Sequence, residues 1–274
     1  MIPRQQVHIG LWLYFLVQTA VGKAALVPFE DWLSLLLATN LVVLLSFVAL
    51  FHILTTSSKT NFATREDFLL FGTAVVVSTL TGLMGYRFDI AIAMGVVGVF
   101  YITQRGPHRE DDYFLGLVYI AIGVNGFIAP LIFQVFKDWF LVGEVQIAVL
   151  VNNLMGFQLD AVGVRIVSQS GMRLEMIGAC SVFSNLSLAL LGYAAFKGMF
   201  RSRLVAKDGL VVGALIVALT LGNTIRLGLM TPGLQSYEFW HHGSGADIFG
   251  LAQIVLIALL SIVPIYFWQR NQIG

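Results

Sequence analysis

Charge is what this sequence has least of. Only 11% of its 274 residues are Asp, Glu, Lys or Arg, whereas 58% are hydrophobic, and mean hydropathy is +0.84. Soluble domains carry about 25% charged and about 45–50% apolar residues, so a soluble globular enzyme is all but excluded. Cysteine is nearly missing too. One Cys cannot form an intrachain bridge, which removes the secreted disulfide scaffold. Neither sign of charge dominates, with 16 Lys and Arg against 15 Asp and Glu. No basic patch is interleaved with aromatics, so no nucleic-acid partner is expected. The apolar excess excludes disorder. The apolar residues come in unbroken runs, unlike the alternation of an outer-membrane barrel. No cleavable signal peptide is expected, because the first run, from Val7 to about Pro28, is long enough to span and stay. No internal repeat and no soluble domain stand out.

What is present is a series of hydrophobic segments of the length a bilayer requires, about 20 residues each. They fall at 7–28, 32–55, 68–86, 88–103, 114–130, 181–199, 208–229 and 248–268, the fourth being short. A further stretch, 139–162, is ambiguous, and the positive-inside rule decides it. If it does not span and the N-terminus is inside, the inner side collects Arg4, Lys59, Arg65, Arg105, Arg109, Lys197, Arg201, Arg203, Lys207 and Arg270. Lys23, Arg87, Lys137, Arg165, Arg173 and Arg226 remain outside or at span ends. If it spans, the first five basic residues move outside and the bias disappears. Glu144, Gln146, Asn152, Asn153, Gln158 and Asp160 also make 139–162 too polar for a lipid-facing helix, and suit one lying along the outer interface. Pro130 is expected to mark the chain's exit from the fifth span.

The expected architecture is an all-α polytopic membrane protein of about eight transmembrane helices, forming one membrane domain over 1–274. Four spans occupy 1–113. The half 114–274 carries an extracytoplasmic amphipathic segment, 131–180, before the Cys helix. Both termini are expected in the cytoplasm, and the inner loop Arg201–Lys207 sets the orientation.

Polar residues are costly in such a chain, so their positions are informative. The sixth span descends 19 residues, about 28 Å at 1.5 Å per residue, and the seventh climbs back 22. Cys180, Arg226 and the pair His241 and His242 therefore reach the same outer boundary. Cys180 precedes a helical run whose N-terminus would favour a thiolate, with Arg226 adding to that effect. Ser181 and the free amides of that first turn could hold an oxyanion. A histidine within reach would complete a nucleophile–base pair. Asn223 shares a face with Arg226. Glu238 or Asp247 could orient the imidazole, and Gly243, Gly245 and Gly250 suggest a tight backbone approach. The simpler alternatives are a Cys acting as a small apolar residue, an Arg snorkelling to headgroups, and interfacial histidines beside Trp240. A His-His pair without further ligands is a weak zinc signal, so no metal and no cofactor is expected.

These residues resemble the exosortase/archaeosortase family of integral-membrane cysteine transpeptidases. Gly178-Ala179-Cys180-Ser181 is similar to its Cys motif, Asn223-Thr224-Ile225-Arg226 to its Asn-x-x-Arg motif, and His241-x-x-x-Gly245 to its His motif, which favours His241 over His242. Leu154–Gly156 followed by Ala161–Leu174 resembles the family's helix end and strand-like piece ahead of the Cys. Pro130-Leu131 resembles the point where the chain leaves the membrane. The likeness covers about 125–250, and the first four spans match only in hydrophobicity. Val182 stands where the family usually has Gly, which implies a divergent subfamily with altered substrate preference.

The resemblance implies a bacterial inner-membrane enzyme of about eight spans whose site faces outward. Its partners would be membrane lipid and exported proteins bearing a C-terminal tail: a short motif (Pro-Glu-Pro in one class), a transmembrane helix and a basic end. Cys180 would be the nucleophile, His241 the base and then the acid, and Arg226 the stabiliser of thiolate or oxyanion, with Asn223, Ser181 and His242 in support. Three rivals stand beside it. A transporter would need polar mid-span residues, and Ser78, Thr79, Thr81 and Asn125 are few and uncharged. The others are a catalytically silent scaffold for exopolysaccharide or cell-envelope assembly, and an intramembrane protease in which water replaces the acceptor.

Overall fold

The computed structural model describes residues 2–24, 41–56, 62–83, 89–103 and 109–273. Parts of four expected spans (25–28, 32–40, 84–86 and 88) lie outside the described residues, as do Lys59, Arg87, Arg105 and His108. Contacts gather the chain into two compact units, Met1–Ile128 with Leu191–Leu204, and Ala129–Leu190 with Val205–Gly274.

The first unit is built from α1 (Arg4–Ala24), α2 (Leu41–Thr55), α3 (Arg65–Leu83), α4 (Asp89–Thr103) and α5 (Arg109–Gly123). Thr64 and Asp67 cap α3 reciprocally: Asp67 accepts the Thr64 N–H at 2.9 Å and donates its own N–H to Thr64 Oγ1 at 3.2 Å. Helices α4 and α5 touch backbone to backbone. A Cβ at Gly98 would meet the Ile120 nitrogen at 2.5 Å, and one at Gly116 the Gly98 oxygen at 2.7 Å. Glycine is what permits this approach, the usual device of helix pairs in lipid.

These helices, legible only as hydrophobic in the sequence, enclose a polar chain. Arg4 pairs with Asp112 at 2.6 Å and with Asp67 at 3.3 Å, all three being buried. Tyr101 donates to Asp67 at 2.9 Å, so its oxygen accepts from His8 Nε2 at 3.2 Å. His8 Nδ1 is then the acceptor for the Tyr119 hydroxyl at 2.8 Å, and Tyr119 accepts the Trp12 indole N–H at 2.8 Å. Each residue of this chain is bonded to another, which is the condition for burying such groups. The rings of Tyr101 and Tyr119 lie nearly parallel to His8 at 5.7 and 5.8 Å.

The second unit opens with α6 (Ala129–Leu154). Pro130, expected to mark the exit from the fifth span, lies inside a continuous helix. A π turn, Val124–Ile128, leads directly into α6, and the helical run continues from Glu110 to Leu154. Proline lacks an N–H and crowds the carbonyl one turn back; the wider π turn at that place accommodates both. A local break at Phe136 (φ −109°, ψ 16°) bends α6 itself. The stretch 139–162 is therefore not one interfacial helix. It is helical to Leu154, turns at Gly156 (φ +92°) and enters a strand.

The strands β1 (Leu159–Val162), β2 (Arg165–Ser168) and β3 (Arg173–Glu175) form an antiparallel sheet in the order β1-β2-β3. Among the described residues they are the one sheet in an otherwise helical fold, and they fall where the resemblance suggested a strand-like piece. Leu159, Ile166, Leu174 and Met176 pack against Leu141, Val145 and Ala148 of α6 and against Leu227. The unit continues through a 3-10 turn (Gly178–Cys180), the start of α7 (Val182–Met199), α8 (Asp208–Leu229), α9 (Leu234–His241) and α10 (Ser244–Ile273). Asn152 of α6 ties to α8, donating to the Thr224 carbonyl at 2.8 Å. Its amide fills the space a side chain at Gly228 would need.

The protein is thus mostly helical. Among the described residues three helical stretches are long and apolar enough to cross a bilayer: Glu110–Leu154, Asp208–Leu229 and Ser244–Trp268. Helices 41–55 and 90–103 are apolar but shorter. The count of about eight spans is therefore not reached by helix length and composition alone.

Candidate active site

The candidate catalytic residues and their supporting neighbours all lie in the second unit. Cys180 ends the 3-10 turn and is half-buried. His241 is the last residue of α9, and its Nε2 lies 3.8 Å from Cys180 Sγ. That is within sulfur hydrogen-bond range, and such contacts are commonly loose before substrate binds. Asn223, buried on α8, donates its amide to the Cys180 carbonyl at 2.8 Å, fixing the backbone that carries the thiol.

The imidazole is held from two sides. Tyr237, one turn earlier on α9, stacks on His241 with centroids 4.8 Å apart and planes 16° apart. His241 Nδ1 lies 2.8 Å from His242 Nε2. When Nε2 faces the thiol as acceptor, Nδ1 carries the proton and donates it to His242, so the second histidine fixes the tautomer of the first. Neither Glu238 nor Asp247 has a side-chain hydrogen bond to this ring among the described contacts; Glu238 accepts the backbone N–H of His242 and Gly243 through its carbonyl. Partial burial lowers the His241 pKa below the ordinary 6.5, as do His242 and Arg226, against an opposing pull from Glu238. At neutral pH the ring is therefore uncharged and able to accept a proton.

Arg226 lies near the end of α8. Its Nε donates to the Trp240 carbonyl at 3.1 Å, and its guanidinium lies 5.1 Å from the centre of the Phe249 ring. It is close enough to Cys180 and to His241 to interact electrostatically with both. Two of the three glycines after the histidines have a local explanation: a Cβ at Gly243 would meet the Phe239 carbonyl at 3.1 Å, and one at Gly245 the Phe239 ring at 2.6 Å and its carbonyl at 2.8 Å, whereas a Cβ at Gly250 would meet nothing within 4 Å, so no tight approach occurs there. The tight backbone approach is onto the turn that carries His241.

Two expectations about the start of α7 need correction. Ser181 is buried and donates to Glu144 Oε1 at 2.5 Å. The Val182 N–H donates to Glu144 Oε2 at 3.0 Å, and the Phe183 N–H to Ser181 Oγ at 3.1 Å. The amides expected to receive an oxyanion are already engaged. A carboxylate from α6 caps the helix, so the helix N-terminus is compensated by Glu144 rather than left for the thiol. Arg226 remains as a positive group within electrostatic reach of the nucleophile. Glu144 is the site residue that sequence reading missed. Its signal was an acid in an apolar helix, read only as a sign that the helix avoids lipid.

A cavity of about 340 Å³ opens beside the pair. Met172–Ile177 form one wall, Leu227, Met230, Leu234 and Tyr237 the other, and Cys180 and His241 face into it. Among the described residues no group of three or more His, Cys, Asp or Glu is placed to hold a metal ion. Compared with models of protein families, with curated proteins and with solved structures, the chain matches none.

Proposed function

We propose that the chain is a membrane-embedded cysteine transpeptidase or peptidase that cleaves the C-terminal sorting tail of exported proteins. The observation that carries this reading is the Cys180–His241 contact of 3.8 Å at the mouth of an apolar cavity, with Arg226 within electrostatic reach of both. The spacing resemblance to exosortases and archaeosortases supplies the substrate class. Eight crossings, cytoplasmic termini and an outward-facing site belong to this reading and rest on the distribution of Lys and Arg, while the bacterial inner membrane rests on the resemblance.

The chemistry follows from the side chains. His241 Nε2 takes the thiol proton as Sγ attacks the scissile carbonyl carbon. The carbonyl oxygen becomes an oxyanion, which the Arg226 guanidinium stabilises. As the tetrahedral carbon collapses, the C–N bond breaks, and the proton on His241 passes to the leaving nitrogen. Cys180 is left as a thioester. An acceptor amine, a lipid-linked group or water then attacks the thioester carbon, giving its proton to His241, and the thiol is restored. Asn223 and Tyr237 hold the two reacting groups in place, and His242 fixes the tautomer.

The test is the state of exported C-termini in cells. In strains carrying Cys180→Ala or His241→Ala, membrane proteins should retain C-terminal peptides that the wild type removes, read by mass spectrometry of the membrane fraction. C-termini identical in wild type and both variants would remove the enzyme reading and leave the scaffold.

A further inference from the structure

Strand β3 is an edge of its sheet, and the cavity that holds the catalytic pair runs along it. The register shows which backbone groups the edge presents. Ser168 donates to the Met172 carbonyl at 2.9 Å and Met176 to the Val164 carbonyl at 2.9 Å. With Ile166 opposite Leu174, the even-numbered residues of β3 therefore turn their N–H and C=O toward β2. The odd-numbered residues, Arg173 and Glu175, turn theirs the other way, to the open edge. No other described contact takes these backbone groups.

We propose that the substrate's scissile segment binds here as an added fourth strand, pairing its backbone with Arg173 and Glu175. This deepens the acyl-transfer reading of Cys180 and rests on it. Three features favour an extended peptide over any other occupant. The edge offers two N–H donors and two C=O acceptors at strand spacing, which an extended backbone matches and a lipid tail does not. The same cavity wall ends at Cys180 and His241, so a strand laid on β3 leads its carbonyl to the thiol. The side chains lining the cavity select on charge as well: Glu175 is already paired with Arg165 at 3.1 Å, while Arg173 has no ion-pair partner among the described residues. A carboxylate on the peptide complements Arg173, and apolar side chains fit between Met172, Leu227 and Met230.

The experiment measures alkylation of Cys180 in the full-length protein, in detergent, by the chloromethyl ketone of acetyl-Val-Glu-Val-Ala. Its analogue carrying N-methyl groups on the backbone amides keeps the side chains but loses the strand donors. Iodoacetamide, which needs no docking, is run beside them. The plain peptide should react at least about tenfold faster than the methylated one. In Glu175→Pro, which removes one outward N–H without touching the bonds to β2, the plain peptide should lose much of its advantage over the methylated one, while Glu175→Ala keeps it in full. Equal rates for the two peptides on the wild-type protein would overturn strand addition even while iodoacetamide labels Cys180 readily. Failure of iodoacetamide and peptide alike to label Cys180 would instead overturn the acyl-transfer reading, and strand addition with it.

Discussion

Removing the Glu144 carboxylate should loosen the start of α7 and, with it, the nucleophile. Glu144 accepts two hydrogen bonds there, from the Ser181 hydroxyl at 2.5 Å and from the Val182 N–H at 3.0 Å. Hydrogen bonds to a charged acceptor contribute about 1.5–3 kcal/mol each. Glu144→Ala loses both and leaves a buried Ser181 hydroxyl without its acceptor, so about 3 kcal/mol of local stability goes at the lower figure. At 1.36 kcal/mol per factor of ten this is roughly a 100-fold loss of protection. The assay is hydrogen exchange of the 181–184 segment in detergent, followed by mass spectrometry, since local opening free energies are what exchange reports. Glu144→Gln keeps one acceptor oxygen and should lose roughly tenfold. Alkylation of Cys180 should change in the same order, because the 3-10 turn that carries it ends against this cap. Protection of 181–184 unchanged in Glu144→Ala would show that the carboxylate does not cap α7.

Other consequences are as direct. His241 sheds its proton below pH 6.5, so the acid limb of Cys180 acylation should fall below that value; His242→Ala removes a neighbour that lowers the His241 pKa and should move the limb upward. A limb that stays put would mean the two rings are electrically independent. Gly116→Ala sets a methyl against the Gly98 carbonyl oxygen and should cost about 1–3 kcal/mol, read as a lower midpoint of thermal unfolding in detergent. Arg4→Met leaves Asp67 and Asp112 buried without their shared cation and should cost about 3–5 kcal/mol by the same measurement. An unchanged midpoint in either variant would contradict the packing described for the first unit.

How much of this was legible beforehand differs by residue. Cys180, Asn223, Arg226 and His241 were found because each interrupts an apolar pattern near a span end, and span lengths alone carry them to one boundary. The helix end near Gly156 and the strands that follow were suggested only by the family resemblance, since the polar residues of 139–162 were read as one interfacial helix. Glu144 was visible as an acid but not as a cap, since its partner is 37 residues away and nothing local names it. The polar chain of His8, Tyr101 and Tyr119 was hidden for the same reason, with contacts spanning 93 and 111 residues. Aromatic residues in an apolar helix carry no mark of whether their hydroxyls are partnered. Nothing at Pro130 itself revealed that the helix continues through it, because proline's effect depends on the turn before it, and a π turn removes the clash that ends an ordinary helix.

The most direct measurement of the central claim is the labelling of Cys180 from outside the cell. Whole cells are treated with a membrane-impermeant maleimide, and the purified protein is weighed by mass spectrometry; Cys180 is the only thiol, so any adduct reports on it. Rapid labelling that slows when His241 or Arg226 is changed to Ala is the predicted result, as expected of an outward-facing thiol activated by its neighbours. A thiol that resists the reagent both on cells and in detergent would be an inert buried cysteine, and the acyl-transfer chemistry would fall with it.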